Sequence, residues 1–116
     1  MPNSNAGVSF EKASRVHLEV SPEAEWDLIE AMDWYAERDP ELSDRLELSY
    51  RQLTSRLLEY PESAFELVHS CRAALIPGFP YFLIYNVSSD TITIHAVWHT
   101  SRNPDTLKRR LGASGE

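Results

Sequence analysis

Two helix-start signals, Ser21-Pro22-Glu23 and Asp39-Pro40-Glu41, stand one helix length apart in this chain, and they constrain its fold more than any other feature. Each places a capping side chain before a proline at the first helical position, with acids near the positive end of the helix dipole. After the first, Ala24, Leu28, Met32 and Tyr35 recur at steps of three and four, with Ile29 and Ala36 widening the stripe, which predicts a helix to about Arg38. After the second, Leu42, Leu46, Tyr50, Leu53 and Leu57 trace another apolar stripe that ends before Tyr60-Pro61. So short a connection makes the two helices an antiparallel hairpin.

The rest of the chain carries strand patterns. Val16, Leu18 and Val20 alternate with His17 and Glu19 ahead of the hairpin, and β-rich runs follow it at Phe65 to Val68, Arg72 to Ile76, Tyr81 to Val87 and Thr91 to Trp98. Pro77-Gly78 suits the centre of a tight turn that wants a fixed φ and then a positive one, and Ser88-Ser89-Asp90 supplies the next turn. Pro80 lacks a ladder donor and belongs at a strand start or a sheet edge. Asn103-Pro104-Asp105 caps a short helix through Leu111. Paired helices followed by strands without crossovers exclude a serial βαβ fold. The expected fold is α+β: an N-terminal strand, an antiparallel helix hairpin packed on a mainly antiparallel four- to five-stranded sheet, and a short C-terminal helix. One domain over residues 15–111 is expected, between a flexible tail at 1–14 and a flexible end at 112–116.

With 116 residues, 42% of them hydrophobic, the chain can bury an ordinary core without staples. The single cysteine, Cys71, excludes an internal disulfide and fits a reducing, cytoplasmic setting. Apolar runs of four or five residues fall far short of the ~20 needed to span a bilayer, and the first residues lack the apolar run of a signal peptide. The net charge of −7 argues against a whole-surface nucleic-acid binder. Its distribution is uneven: Glu19 to Glu66 carries 14 acidic residues against 4 arginines, while 67–116 carries 3 acidic against 5 basic. Target contacts are therefore expected in the second half.

Simple alternation puts Ile92, Ile94, Ala96 and Trp98 on one face of the last strand and Thr93, His95, Val97 and His99 on the other. His95 and His99 would then lie about 13 Å apart on one face, too far to share a metal ion. His95, in mid-strand, reads as a packing residue, and His99, at the strand end, as either structural or functional. Ser101, Arg102, Lys108, Arg109 and Arg110 form a donor set near the strand exit that suits phosphates or carboxylates. Lys108, Arg109 and Arg110 equally complement the negative end of the terminal helix. Arg72 opens an apolar strand, and Arg102 precedes a helix cap. His69 and Cys71 would share a face, yet a buried inert thiol is the simpler reading. Gly-rich phosphate loops, nucleophile elbows and HExxH patterns are absent from the sequence, and neither a cofactor nor a metal is expected.

From Val16 to Leu111 the chain resembles the RelE/ParE superfamily of bacterial type II toxins, also called plasmid stabilisation proteins. The resemblance rests on "VSPEAEWDLIEAMDWYAERDPELSDRL", "LLEYPES", "FPYFLIYNV" and "ITIHAVWHTSRNP", in that order. It implies a growth-arresting toxin neutralised by a cognate antitoxin that folds on binding. It leaves room for a homodimer or a heterotetramer with the antitoxin. Members similar to ParE poison DNA gyrase without catalysis, whereas those similar to RelE cut messenger RNA on the ribosome. The His99 to Pro104 segment "HTSRNP" looks like the ParE-type ending, and the acidic balance speaks against a ribosome-bound nuclease. His99, Arg72, Arg102, Lys108, Arg109 and Arg110 are then the expected target contacts. In the nuclease alternative His99 would serve as acid or base, with Arg72 and Arg102 as charge stabilisers. Thr100, standing where some nucleases carry an aromatic residue, departs from that pattern. A second alternative is a non-toxic antitoxin-binding protein of the same fold. The antitoxin interface is expected to be mostly apolar or to use the arginines of the sheet side.

Overall fold

The structure, a computed structural model, describes residues 16–68 and 70–115. The expected tail at 1–14 and the His69 placement lie outside the described residues. Both helix starts are built as their signals predict. Ser21 is extended and its Oγ accepts the Ala24 N–H at 3.1 Å, opening α1 at Pro22–Ala36. Asp39 accepts the Glu41 N–H at 3.0 Å and opens α2 at Pro40–Glu59. Between them the chain reverses over Glu37 to Asp39, whose N–H groups donate back to Asp33 and Tyr35. In α1 the inward stripe is narrower than the sequence suggests, because Ile29 and Ala36 face solvent, and it includes one charged residue, Asp27, which is buried.

Five strands, β1 (His17–Val20), β2 (Phe65–Val68), β3 (Cys71–Leu75), β4 (Tyr81–Ser88) and β5 (Thr91–His99), form one sheet in the order β1-β5-β4-β3-β2. β2 to β5 make an antiparallel meander, and β1 joins β5 in parallel because the helix hairpin carries the chain across one face. Gly78, at φ +84°, turns β3 into β4, with the Phe79 N–H donating to the Ile76 carbonyl at 3.1 Å. Ser49 Oγ on α2 donates to the Pro77 carbonyl at 2.7 Å and ties the hairpin to that turn. The last helix, α3 (Pro104–Gly115), begins at Asn103, whose Oδ1 accepts the Asp105 N–H at 2.8 Å. It continues past Leu111, so residues 112–115, which the sequence reading assigns to a loose end, are helical.

The sheet is covered on both faces. Leu46, Leu53 and Leu57 of α2 pack with Leu83, Tyr85, Ile92, Ile94 and Val97 on the hairpin side, while Leu107 and Leu111 of α3 pack with Cys71, Ala73, Ile84, Ala96 and Trp98 on the other. The alternation expected for β5 is thus broken in mid-strand. Ile84 pairs with Ala96 but Tyr85 pairs with Ile94, leaving His95 as the extra residue of a β-bulge. The bulge exchanges the faces, so Ala96 and Trp98 oppose Ile92 and Ile94 instead of joining them. Tyr85, fully buried, donates its hydroxyl to the Pro61 carbonyl at 2.7 Å and fixes the chain leaving α2. Tyr85→Phe is expected to lower stability by about 1 kcal/mol in urea unfolding with unchanged secondary structure; an unchanged midpoint would assign the anchoring to packing alone.

Candidate functional site

The site grows from the outer edge of β5. β1 pairs only as far as Ile94, so the following residues of β5, paired with β4 on one side, have no described strand on the other. One main-chain group and two side chains close that edge. The Ser21 N–H donates to the Ile94 carbonyl at 2.9 Å, Arg110 Nη1 donates to the His95 carbonyl at 3.1 Å, and Asp27 Oδ2 accepts the Val97 N–H at 3.1 Å. Arg110 also grips Asp27 with both terminal nitrogens, at 2.9 and 3.1 Å. One buried ion pair therefore satisfies the bulge and fastens α3 to α1.

Asp27 was missed by the sequence reading, which followed only the apolar positions around it. An acid set into the inward stripe between Ala24 and Leu28, and an arginine between Leu107 and Leu111, are the signals that point to such a pair. Arg110, expected at the target, is committed to this internal role.

Beyond the bulge, α1 and the end of β5 enclose an open groove of about 450 Å³, lined by Glu30, Trp34, Tyr35, Tyr81, His99 and Arg102 with Asp27 at its base. Its walls are aromatic. His99 stands edge-on to Tyr81 with centroids 5.0 Å apart, Trp34 stands edge-on to Tyr35 at 5.0 Å, and the Arg38 guanidinium lies over the Trp34 ring at 3.5 Å. The His99 Nδ1 accepts the Ser101 N–H at 3.0 Å and faces Ser101 Oγ at 2.8 Å. A ring nitrogen that accepts a backbone N–H carries no proton, so the neutral imidazole holds its hydrogen on Nε2 and is a donor there. Burial, with a smaller contribution from Tyr35, raises the Tyr81 pKa and keeps it a phenol. Arg102 is exposed at the mouth, its guanidinium 3.9 Å above the Trp98 ring and its N–H on the His99 carbonyl at 3.0 Å.

Of the expected site residues, the structure brings together His99 and Arg102. Arg72 donates to the carbonyls of Glu62 and Ala64, at 3.3 and 2.6 Å, and holds the loop before β2. It pairs with Tyr85 whereas His99 pairs with Tyr81. Four residues along β4 separate them by about 13 Å, plus the width of the intervening strands. Lys108 and Arg109 are exposed on α3.

His95 and His99 do not share a face: His95 lies on the face opposite Ile94, the α3 side, where its Nε2 is 3.0 Å from Asn86 Oδ1, while the bulge carries His99 to the hairpin side, where it faces Tyr81. Burial lowers the His95 pKa, against a smaller upward pull from Glu23. The unfolded chain then binds a proton at a higher pH than the fold does. Stability is full above the unfolded value of about 6.5 and is lost as pH falls through it toward the lower folded value. The urea midpoint should fall on acidification from about pH 7.5 to about pH 5.5, and less steeply in His95→Gln; equal slopes would remove His95 as the cause. Cys71 is buried, and burial raises its pKa, so it stays a thiol. Among the described residues no three His, Cys, Asp or Glu side chains converge as a metal site requires.

Comparison with known proteins points to one family. A family model described as the ParE toxin of the type II toxin-antitoxin system parDE matches residues 18–104, from β1 through the start of α3. A relative named Toxin ParE2, from Mycobacterium tuberculosis strains CDC 1551 and H37Rv, is 30% identical over 95 residues, which is 81% of this chain and 90% of the relative. A solved structure titled as the chromosomal ParDE TA system from P. aeruginosa has the same fold, with a TM-score of 0.65 at 17% identity, covering 75% of this chain and 98% of its own. With a family model spanning most of its length and a relative matched almost end to end, this chain belongs to the ParE toxin family of type II toxin-antitoxin systems.

Proposed function

We propose that this ParE-family toxin arrests growth by binding DNA gyrase in the cytoplasm, without cutting nucleic acid, and is held inactive by its antitoxin. Membership of a type II family implies the antitoxin partner. The observation that carries the non-catalytic reading is the His99 imidazole, whose Nδ1 is occupied by the Ser101 turn. Taking up a proton at Nε2 would require moving the ring hydrogen onto Nδ1, against the Ser101 N–H. RNA cleavage needs a base, an acid and a cation around one phosphate. Tyr81 stays protonated, Arg72 lies on β3 opposite Tyr85, four residues along β4 from Tyr81, and Arg110 is paired. A groove with aromatic walls, an N–H donor and one guanidinium is suited to gripping a partner's carboxylates and carbonyls. Among the described residues no helix is long and apolar enough to cross a membrane.

The test combines a gyrase supercoiling assay on the purified toxin with a DNA-damage reporter read within minutes of pulsed expression. Inhibited supercoiling with early reporter induction is expected. Arrest with intact gyrase activity and cleaved messenger RNA would overturn the reading in favour of a nuclease, and unaffected growth would favour a non-toxic antitoxin-binding protein.

A further inference from the structure

On the face of the sheet opposite the hairpin, α3 leaves Phe65 of the edge strand β2 exposed. Between that helix and β2 lies a small pocket of about 130 Å³, floored by Ala73, Phe82 and Ile84 and walled by Trp98 and Leu107. That is comparable with the ~150 Å³ apolar cavity that holds one benzene, so it has room for one leucine or aromatic side chain. Its outer rim is apolar and open: Phe65, 55% exposed, stands edge-on to Phe82 at 6.0 Å. The opposite rim is cationic, with Arg102 and Lys108 at the N-terminal end of α3, where the helix dipole is also positive. Trp98 itself is enclosed. It is 3% exposed, and its Nε1–H is buried without an acceptor among the described residues.

We propose that this pocket anchors a partner's peptide segment carrying a leucine or aromatic side chain beside a carboxylate, with Arg102 clamping the carboxylate. The size admits one side chain, the rim selects its charge, and the edge of β2, unpaired by any other described strand, offers the segment's backbone a place to pair. The Arg102 guanidinium lies over the Trp98 ring at 3.9 Å and has no hydrogen-bond acceptor among the described residues, so its N–H groups are available to a carboxylate. Arg102 also borders the His99 groove. A segment seated in the pocket therefore takes the groove's guanidinium for itself, so binding there and target engagement compete. That consequence rests on the gyrase reading, while the pocket does not.

Phenylbutyrate carries the ring and the carboxylate on one short chain, and phenylbutanol carries the ring alone. In the isotope-labelled full chain the three tryptophans give three indole N–H signals, with Trp26 and Trp34 of α1 as internal controls. Phenylbutyrate is expected to move the Trp98 signal with a Kd at least about fivefold tighter than phenylbutanol, and in Arg102→Gln the two compounds are expected to bind alike. A Trp98 signal that stays put, equal Kd values in the unmodified protein, or a preference that survives Arg102→Gln would overturn the proposal. Each of these readouts is independent of gyrase.

Discussion

Asp27→Ala is expected to destabilise the protein by about 3–5 kcal/mol, a large part of a small domain's total stability. Asp27 is 8% exposed and holds three donors at once: two from Arg110 and the Val97 N–H beside the bulge. Alanine leaves the guanidinium half-buried without its counter-ion, exposes the β5 edge and releases α3 from α1. The cost comes from stranding the partner and not from the pair as such. The double replacement Asp27→Leu with Arg110→Met is therefore expected to restore most of the loss in urea unfolding. Hydrogen exchange at Val97 should accelerate in the single variant, because its N–H loses the only acceptor described for it. A single variant within about 1 kcal/mol of the parent would mean that the pair is relieved by solvent, and the account of the edge would fall.

Arg102→Glu is expected to abolish growth arrest while leaving the protein folded. Arg102 is exposed, and its stacking on Trp98 contributes about 0.5–1 kcal/mol as an exposed cation–π contact. Its main-chain bond to His99 does not depend on the side chain. The groove already holds Asp27 and Glu30, and Arg102 is the one permanent cation among its lining residues, so reversal makes the mouth anionic. Arg72→Ala is the contrasting case. It removes the ties to Glu62 and Ala64, so it should lower the thermal midpoint yet leave the arrest intact in the folded fraction. Pulsed expression with growth followed over the same minutes, and a melting curve for each purified variant, separate the two. Arrest unchanged in Arg102→Glu would remove Arg102 from the target surface, and arrest lost in a fully folded Arg72→Ala would return Arg72 to it.

These variants also mark where reading the sequence succeeds and where it stops. Both helices of the hairpin were legible because their signals are local. A cap bonds a backbone N–H two or three residues away, a proline acts on its own turn, and a stripe repeats every three or four residues. The Pro77-Gly78 turn was legible for the same reason. His99 and Arg102 were legible as a pair because the chain itself brings them together in one turn after β5.

The partners of Arg72 were not legible because a charge in an apolar strand announces only that it has a partner; they are carbonyls in the loop before β2, and only the folded chain shows them. His95 was separated from His99 by the bulge, which no pattern in the strand announces. An extra residue in β5 exists only relative to the register of β4.

The sequence by itself determined the helix hairpin, the turns that follow it and the strand-forming runs, since each depends on contacts within a few residues. The tertiary structure alone decided the parallel seat of β1, the exchange of faces at His95 and the union of Asp27 with Arg110, 83 residues away. Those features depend on strand register and on which edge remains open, and both are set only when distant segments pack together.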